Sequence, residues 1–362
     1  MAYSPYGPIV DAHVDTVLDL AAGRRRLGER STQGHVDLPR LEEAGVGVQV
    51  FAHFIEPVYK PHAALARFME LYDVFLHEVA CHSDRITVVT GVRELEETLA
   101  AGRIAAVIGI EGGEVLQGRP GVLRLLHRLG VRLIGLTWNE RNDLADGAGD
   151  ARSGGGLSRL GVEVVREMNR LGMVVDVSHL SDAGFYDVLA VSRHPVLASH
   201  SNCRALCNHP RNLTDDQIRA LAARGGVMGM NFYARFLRED GPATIDDVVR
   251  HIEYVAALVG PEHVGLGSDF DGIDEPPQGL EDVTRLPRLI DALLRRNWKE
   301  RDLRLVLGEN MLRLFRQVWQ EGEDPYPVRG GAVPATVPGS EARAHGPGAG
   351  GVGGGAPGRP RP

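Results

Sequence analysis

The sequence predicts a (β/α)8 barrel, and three observations carry the prediction. Eight short apolar runs recur: Pro8–Ala12, Val46–Ala52, Ile104–Ile110, Leu133–Leu136, Met173–Val177, Val196–Ser199, Gly226–Asn231 and Val264–Gly267. Most are continuous and rich in Val and Ile, as expected of strands buried on both faces. Each is followed by a stretch with apolar residues at helical spacing. The alternation fills roughly residues 9 to 320, a length suited to one barrel of this kind. A doubly wound open sheet is the runner-up, and it usually needs fewer strands.

Taken in order, the first run leads into His13-Val14-Asp15. Residues i and i+2 of a strand share a face, so an imidazole and a carboxylate aim at one point. His35-Val36-Asp37 repeats the pattern, and at least one copy is expected to be inert. Leu157 through Leu171 carries helix-period apolar positions. Thr214, with Gln217 three residues on, predicts a capping box for a helix over Asp215–Leu221. Arg301 to Trp319 reads as a final amphipathic helix pair covering the barrel. The barrel domain therefore spans residues 1–324. Residues 325–362 turn to Gly, Pro and Ala, and Gly330 to Pro362 is expected to be a disordered tail.

Composition narrows the function. A net charge of −8 gives no nucleic-acid footprint. No apolar run is long enough for a membrane span, and the N-terminus shows neither a basic region nor an apolar core of a signal peptide. Three cysteines, Cys81, Cys203 and Cys207, are too few for a disulfide framework and fit a reducing, cytoplasmic location. A zinc site built from His200, Cys203 and Cys207 is an alternative to burial of the two thiols as small apolar groups. Only two lysines occur, Lys60 and Lys299, neither in a strand-like run. That disfavours Schiff-base chemistry, a phosphate-binding loop and a carbamylated lysine between two metals.

The active site of such a barrel lies at the C-terminal ends of its strands. Those ends carry His13 and Asp15, Glu111, Thr137-Trp138-Asn139, Ser178-His179, Ser199-His200-Ser201, Asn231-Phe232-Tyr233 and Ser268-Asp269-Phe270-Asp271. His13, Asp15, Glu111, His179 and His200 make five ligands, more than one tetrahedral site needs. A glutamate bridging two ions completes both shells. A water or hydroxide between the ions becomes a nucleophile near neutral pH. Asp269 is then free to carry the proton. For Asp269 and Asp271 the rival reading is a turn-forming or calcium-binding Asp-x-Asp-Gly loop.

These segments resemble the membrane dipeptidase (renal dipeptidase) family of zinc peptidases, within the amidohydrolase barrels. The matching motifs are Asp11-Ala12-His13-Val14-Asp15, Gln49-Val50-Phe51-Ala52, Gly109-Ile110-Glu111-Gly112-Gly113, Asp176-Val177-Ser178-His179, Ser199-His200-Ser201, Arg211-Asn212-Leu213-Thr214-Asp215, Asn231-Phe232-Tyr233, Gly267-Ser268-Asp269-Phe270-Asp271-Gly272 and Gly308-Glu309-Asn310-Met311-Leu312-Arg313. The resemblance implies one zinc on His13 and Asp15, a second on His179 and His200, and Glu111 between them. It implies that Arg211 pairs with the substrate's C-terminal carboxylate, that Tyr233 lines the substrate pocket, and that Asp269 is the catalytic aspartate. Mammalian members carry a histidine where this chain has Trp138, so Trp138 and Asn139 are further candidates for substrate contact. Mammalian members also use a signal peptide and a lipid anchor, and neither is visible here.

The resulting expectation is a binuclear zinc dipeptidase acting on small dipeptides, with a D-residue accepted at the C-terminal position. The family points to a homodimer. The near rival is another amidohydrolase, such as an N-acyl-amino-acid deacylase or lactonase. The rival from another class is a non-catalytic metal-binding scaffold.

Overall fold

The computed structural model describes residues 3–320 and Gly322. Nine parallel strands form one sheet: β1 (Ile9–Val14), β2 (Val46–Phe54), β3 (Ile86–Val88), β4 (Ile104–Glu111), β5 (Val131–Gly135), β6 (Val174–Asp176), β7 (Leu197–Ser201), β8 (Val227–Met230) and β9 (Val264–Leu266). Eight of them close a ring. β1 pairs with β2 and β9, β2 pairs with β4, and β4 through β9 follow in order. The ninth, β3, pairs only with the first residues of β4. Its three residues are too short to leave a hydrophobic pattern. The chain is thus a (β/α)8 barrel, and every predicted run falls on a ring strand.

The strands are buried on both faces, which is why their sequences run apolar without alternation. Inside the ring, Val48, Val50, Val107, Leu133, Val174 and Leu197 pack with Met311, Phe315 and Trp319. The last helix thereby closes the N-terminal end of the barrel and leaves the opposite end for chemistry. The expected helix pair is instead one continuous run: Glu300–Arg304, a π-helical turn over Leu305–Glu309, and Asn310–Gln320. A π turn adds one residue to a helical turn and shifts the apolar phase, which reads in sequence as a break between two helices.

Local signals elsewhere hold. Thr214 accepts from the Gln217 amide while the Gln217 side chain accepts from Thr214, capping Asp215–Ala223. Ser158 caps Arg159–Leu171. Asp37 of the second His-x-Asp copy caps Leu38–Ala44 by accepting from the Arg40 amide at 2.9 Å. His35 of that copy accepts from the Asp271 amide at 2.8 Å through Nδ1. The second copy is therefore structural. Cys203 and Cys207 are buried, and their thiols approach the carbonyls of His251 and Arg235. Neither thiol belongs to a group of potential metal ligands among the described residues. The expected tail, residues 325–362, lies outside the described residues.

Candidate metal centre and substrate pocket

Five side chains from four parts of the ring meet over its C-terminal end. His13 and Asp15 come from the end of β1, Glu111 ends β4, His179 follows β6, and His200 lies in β7. The Nε2 atoms of His179 and His200 stand 2.8 Å apart, and both face Oε1 of Glu111, at 2.8 and 3.6 Å. The other oxygen, Oε2, lies 3.6 Å from Nε2 of His13, which is itself 3.5 Å from Asp15. Asp269 reaches the same His13 nitrogen at 3.8 Å. All of the residues predicted as metal ligands are thus brought together.

Their outer hydrogen bonds decide which way each ring points. Oδ1 of Asn139 accepts from Nδ1 of His179 at 3.0 Å. Ser199 Oγ meets Nδ1 of His200 at 2.7 Å and donates its own proton to Asp176 at 2.6 Å. Both Nδ1 atoms therefore carry protons, and both Nε2 lone pairs face one point beside a carboxylate oxygen. Two lone pairs and an anionic oxygen repel one another unless a cation sits among them, and that donor set suits zinc. At the other group, Nδ1 and Nε2 of His13 and Oδ1 of Asp15 are buried without hydrogen-bond partners. The residues fit metal.

The charge balance agrees. Burial and the neighbouring cations drive His179 down to about 3 and His200 well below its usual value. Burial also works against charge on His13, but Glu111 and Asp15 prevail and hold it well above the ordinary imidazole range. Burial raises Asp15 to about 6 and Asp269 to about 7, with the nearby carboxylates adding to the rise. Against burial, the charged His13 holds Glu111 well below the usual carboxylate range. Six acids and bases pushed apart in this way mark a reactive cleft.

Backbone geometry aims the site as well. His179, Asp269 and Asp271 all adopt left-handed conformations, with φ of 69°, 64° and 68°. Such conformations cost energy in non-glycine residues and concentrate where a side chain must be presented. Asp271 is held by the Thr16 hydroxyl at 2.6 Å and by Arg25 at 2.5 Å. These contacts account for it without a calcium ion. A Cβ on Gly272 would collide with the Asp15 carboxylate, so a larger residue there would displace that candidate ligand.

Above the cluster lies a cavity of about 300 Å3, lined by Asp15, Phe54, Glu111, Trp138, Asn139, His179, Arg211, Tyr233, Phe236 and Asp269. Every residue predicted to touch substrate is on that lining. Arg211 is buried, and burial pushes its guanidinium down to about 10. Its Nη2 donates to the His200 carbonyl at 3.2 Å, and its Nε has no partner. Asn139 both lines the cavity and orients His179. In the sequence Asn231 stands out only as part of the Asn231-Phe232-Tyr233 motif. It donates to Asp269 Oδ2 at 2.9 Å and is itself locked by paired bonds with Asn202. Asp11 and Asp176 were likewise without a role. The signal was available: each is a lone carboxylate inside an apolar strand, two residues before a motif serine or histidine.

The model of the membrane dipeptidase family, Peptidase family M19, matches residues 6–324. The chain belongs to that family. It is therefore a peptidase, a hydrolase acting on peptide bonds. A dipeptidase of Clonostachys rogersoniana is 38% identical over 296 residues, covering 78% of this chain and 76% of its own length. An uncharacterized dipeptidase of Schizosaccharomyces pombe is 39% identical over 308 residues, covering 80% and 73%. Among solved structures, a metallopeptidase of Rhodobacter sphaeroides liganded with a phosphinate mimic of the dipeptide L-Ala-D-Ala superposes with a TM-score of 0.82. It is 30% identical, and the match covers 86% of this chain and 99% of that one. Despite the family's name, no helix among the described residues is long and apolar enough to cross a membrane.

Proposed function

We propose that this family member is a binuclear zinc dipeptidase for small dipeptides, including those with a D-residue at the C-terminal position. The observation that carries the reading is the division of Glu111, with Oε1 toward His179 and His200 and Oε2 toward His13. His13 with Asp15 and His179 with His200 would hold one zinc each, and Glu111 would span both. Bound there, zinc supplies a Lewis acid for the scissile carbonyl and hydroxide near neutral pH.

The chain's own residues do the rest. Arg211 receives the substrate's terminal carboxylate, the partner that its buried guanidinium lacks. Tyr233 and Phe236, 4.9 Å apart and edge to face, wall the same end of the cavity. Asp269 takes a proton from the attacking water at Oδ1 and passes it to the leaving amine, while Asn231 fixes Oδ2. Acceptance of a C-terminal D-residue is supported by the phosphinate mimic bound to the Rhodobacter relative. Three free cysteines support a reducing, cytoplasmic setting, and a homodimer completes the reading.

A panel of L-L and L-D dipeptides, assayed before and after chelation alongside elemental analysis, tests this. Hydrolysis that is lost on chelation and restored by about two zinc ions per chain is expected. Full activity with one tightly held ion at saturating zinc overturns the binuclear part. Turnover of N-acyl amino acids but not of dipeptides overturns the substrate.

A further inference from the structure

Phe54 and Trp138 form one wall of the catalytic cavity, with ring centroids 5.2 Å apart. Lys60 lies against both rings, its Nζ 5.4 Å from the Phe54 centroid and 5.2 Å from that of Trp138. The same ammonium is gripped by Glu140 at 3.3 Å and Glu114 at 3.5 Å, and its side chain is only 10% exposed. Lys60, Glu114 and Glu140 belong to a second cavity, of about 800 Å3. The two rings and the lysine thus stand between a small catalytic cavity and a much larger space.

The position of this wall in the ring says which part of a substrate meets it. Around the eight strands, Phe54 ends β2 and Trp138 follows β5, so the pair straddles β4. The strand diametrically opposite β4 is β8, which leads into Tyr233 and Phe236, with Arg211 stacked on Phe236 at 5.6 Å. A dipeptide whose carboxylate lies on Arg211, and whose scissile carbonyl lies over the histidines, points its N-terminal residue at Phe54 and Trp138.

We propose that the Phe54–Trp138 wall, braced from behind by Lys60, limits the enzyme to dipeptides with a small N-terminal side chain. The inference rests on the dipeptidase reading above. A cavity of about 300 Å3 is at the bottom of the range for ligand sites, so a wall on its N-terminal side decides how large a side chain can enter there. The wall is stiff for three reasons. The cation lies on two ring faces, where desolvation strengthens the attraction. The two glutamates fix the cation. The backbone of Trp138 and Asn139 is seated on Gly147, where a Cβ would collide with both of their carbonyl oxygens.

The experiment compares kcat/KM for Ala-Ala, Leu-Ala and Phe-Ala, and for Ala-Leu and Ala-Phe, in the zinc-loaded protein and in Trp138→Ala. The wild-type protein should discriminate by about tenfold or more against each large step at the N-terminal residue. Trp138→Ala should raise the Phe-Ala to Ala-Ala ratio by at least about tenfold, and the Ala-Phe to Ala-Ala ratio by less than about threefold. Phe54→Ala should act in the same direction, and it serves if Trp138→Ala does not fold. Lys60→Met keeps the stem and removes the charge, so it should shift the same ratio by a smaller factor. An unchanged N-terminal ratio in a folded variant, or a larger change in the C-terminal series, overturns the wall. Failure of the wild-type protein to cleave any of these dipeptides overturns the dipeptidase reading itself.

Discussion

The hydroxyl of Ser199 stands 2.7 Å from Nδ1 of His200, its neighbour in the chain. Because Ser199 donates to Asp176 at 2.6 Å, its oxygen is left to accept from the imidazole. Asp176 takes two further bonds, from the Ser178 and Ser199 amides at 3.0 Å each. A buried carboxylate so fixed holds one hydroxyl, which fixes one tautomer, which presents one nitrogen toward Glu111. Removing the hydroxyl frees the ring to rotate or to change tautomer. Ser199→Ala should therefore weaken zinc at the His179–His200 position by about 10- to 100-fold, with the His13–Asp15 position much less affected. Stepwise titration against a competing chelator separates the two affinities. Equal weakening of both would mean that Ser199 supports the barrel and not the ring.

Asp269 offers a cleaner separation of roles. It lies in the left-handed region at φ 64°, a conformation that asparagine tolerates and alanine does not. Asp269→Asn preserves shape and backbone while removing the acid. Its kcat should fall by at least about 10²-fold, the scale of a lost general acid–base group, with zinc content unchanged. Loss of zinc from the variant would make Asp269 a ligand, as its 3.8 Å approach to His13 also permits.

The barrel was readable in the sequence because burial on both faces of parallel strands leaves continuous Val/Ile runs, and because strand ends carry the polar residues that such runs cannot hold. The five ligand candidates and Asp269 followed from their place at strand ends, whereas Arg211 came only from the family resemblance. What escaped reading depends on distances between strands. Asn231 acts on Asp269 across 38 residues, and Ser268 donates to Asp11 at 2.6 Å across 257. No local spacing encodes such pairs. Asn139 shows the same limit from another side: it was read as a substrate contact, and its hydrogen bond to His179 became visible only when β5 and β6 lay side by side. The contact of Trp138 with Lys60 escaped reading because Lys60 lies in an irregular segment with no period to follow.

Stability without metal should reveal the cost of the acidic cluster. Burial raises Asp269 to about 7, far above an unfolded aspartate, so the folded chain retains a proton that the unfolded chain has released. The sign follows. Below the unfolded value both states are protonated and the side chain costs nothing. As pH rises toward and through the folded value, the buried group must either keep a proton against the gradient or ionise in a dry site, and stability falls. In chelated protein, the thermal midpoint of Asp269→Asn minus that of wild type should be near zero at about pH 4 and clearly positive at about pH 8. A difference that does not change with pH would show that the carboxyl is not the source.

Arg211 is the residue on which the preference for free dipeptides rests. It is buried, it has no salt-bridge partner among the described residues, and it faces the catalytic cavity. A desolvated guanidinium in that position gains most from a planar anion that can accept two parallel bonds. Arg211→Ala should therefore impair free dipeptides far more than their C-terminal amides. The loss of such a desolvated charge pair is roughly 2–5 kcal/mol in kcat/KM. Arg211→Lys should recover only part of it, because an ammonium is a point charge and cannot match both oxygens at once. The Nη2 bond to the His200 carbonyl would also be lost in both variants, so zinc content must be measured beside the kinetics. Equal losses on dipeptide and amide, with zinc retained, would make Arg211 a support for the β7 loop and assign the carboxylate to another partner.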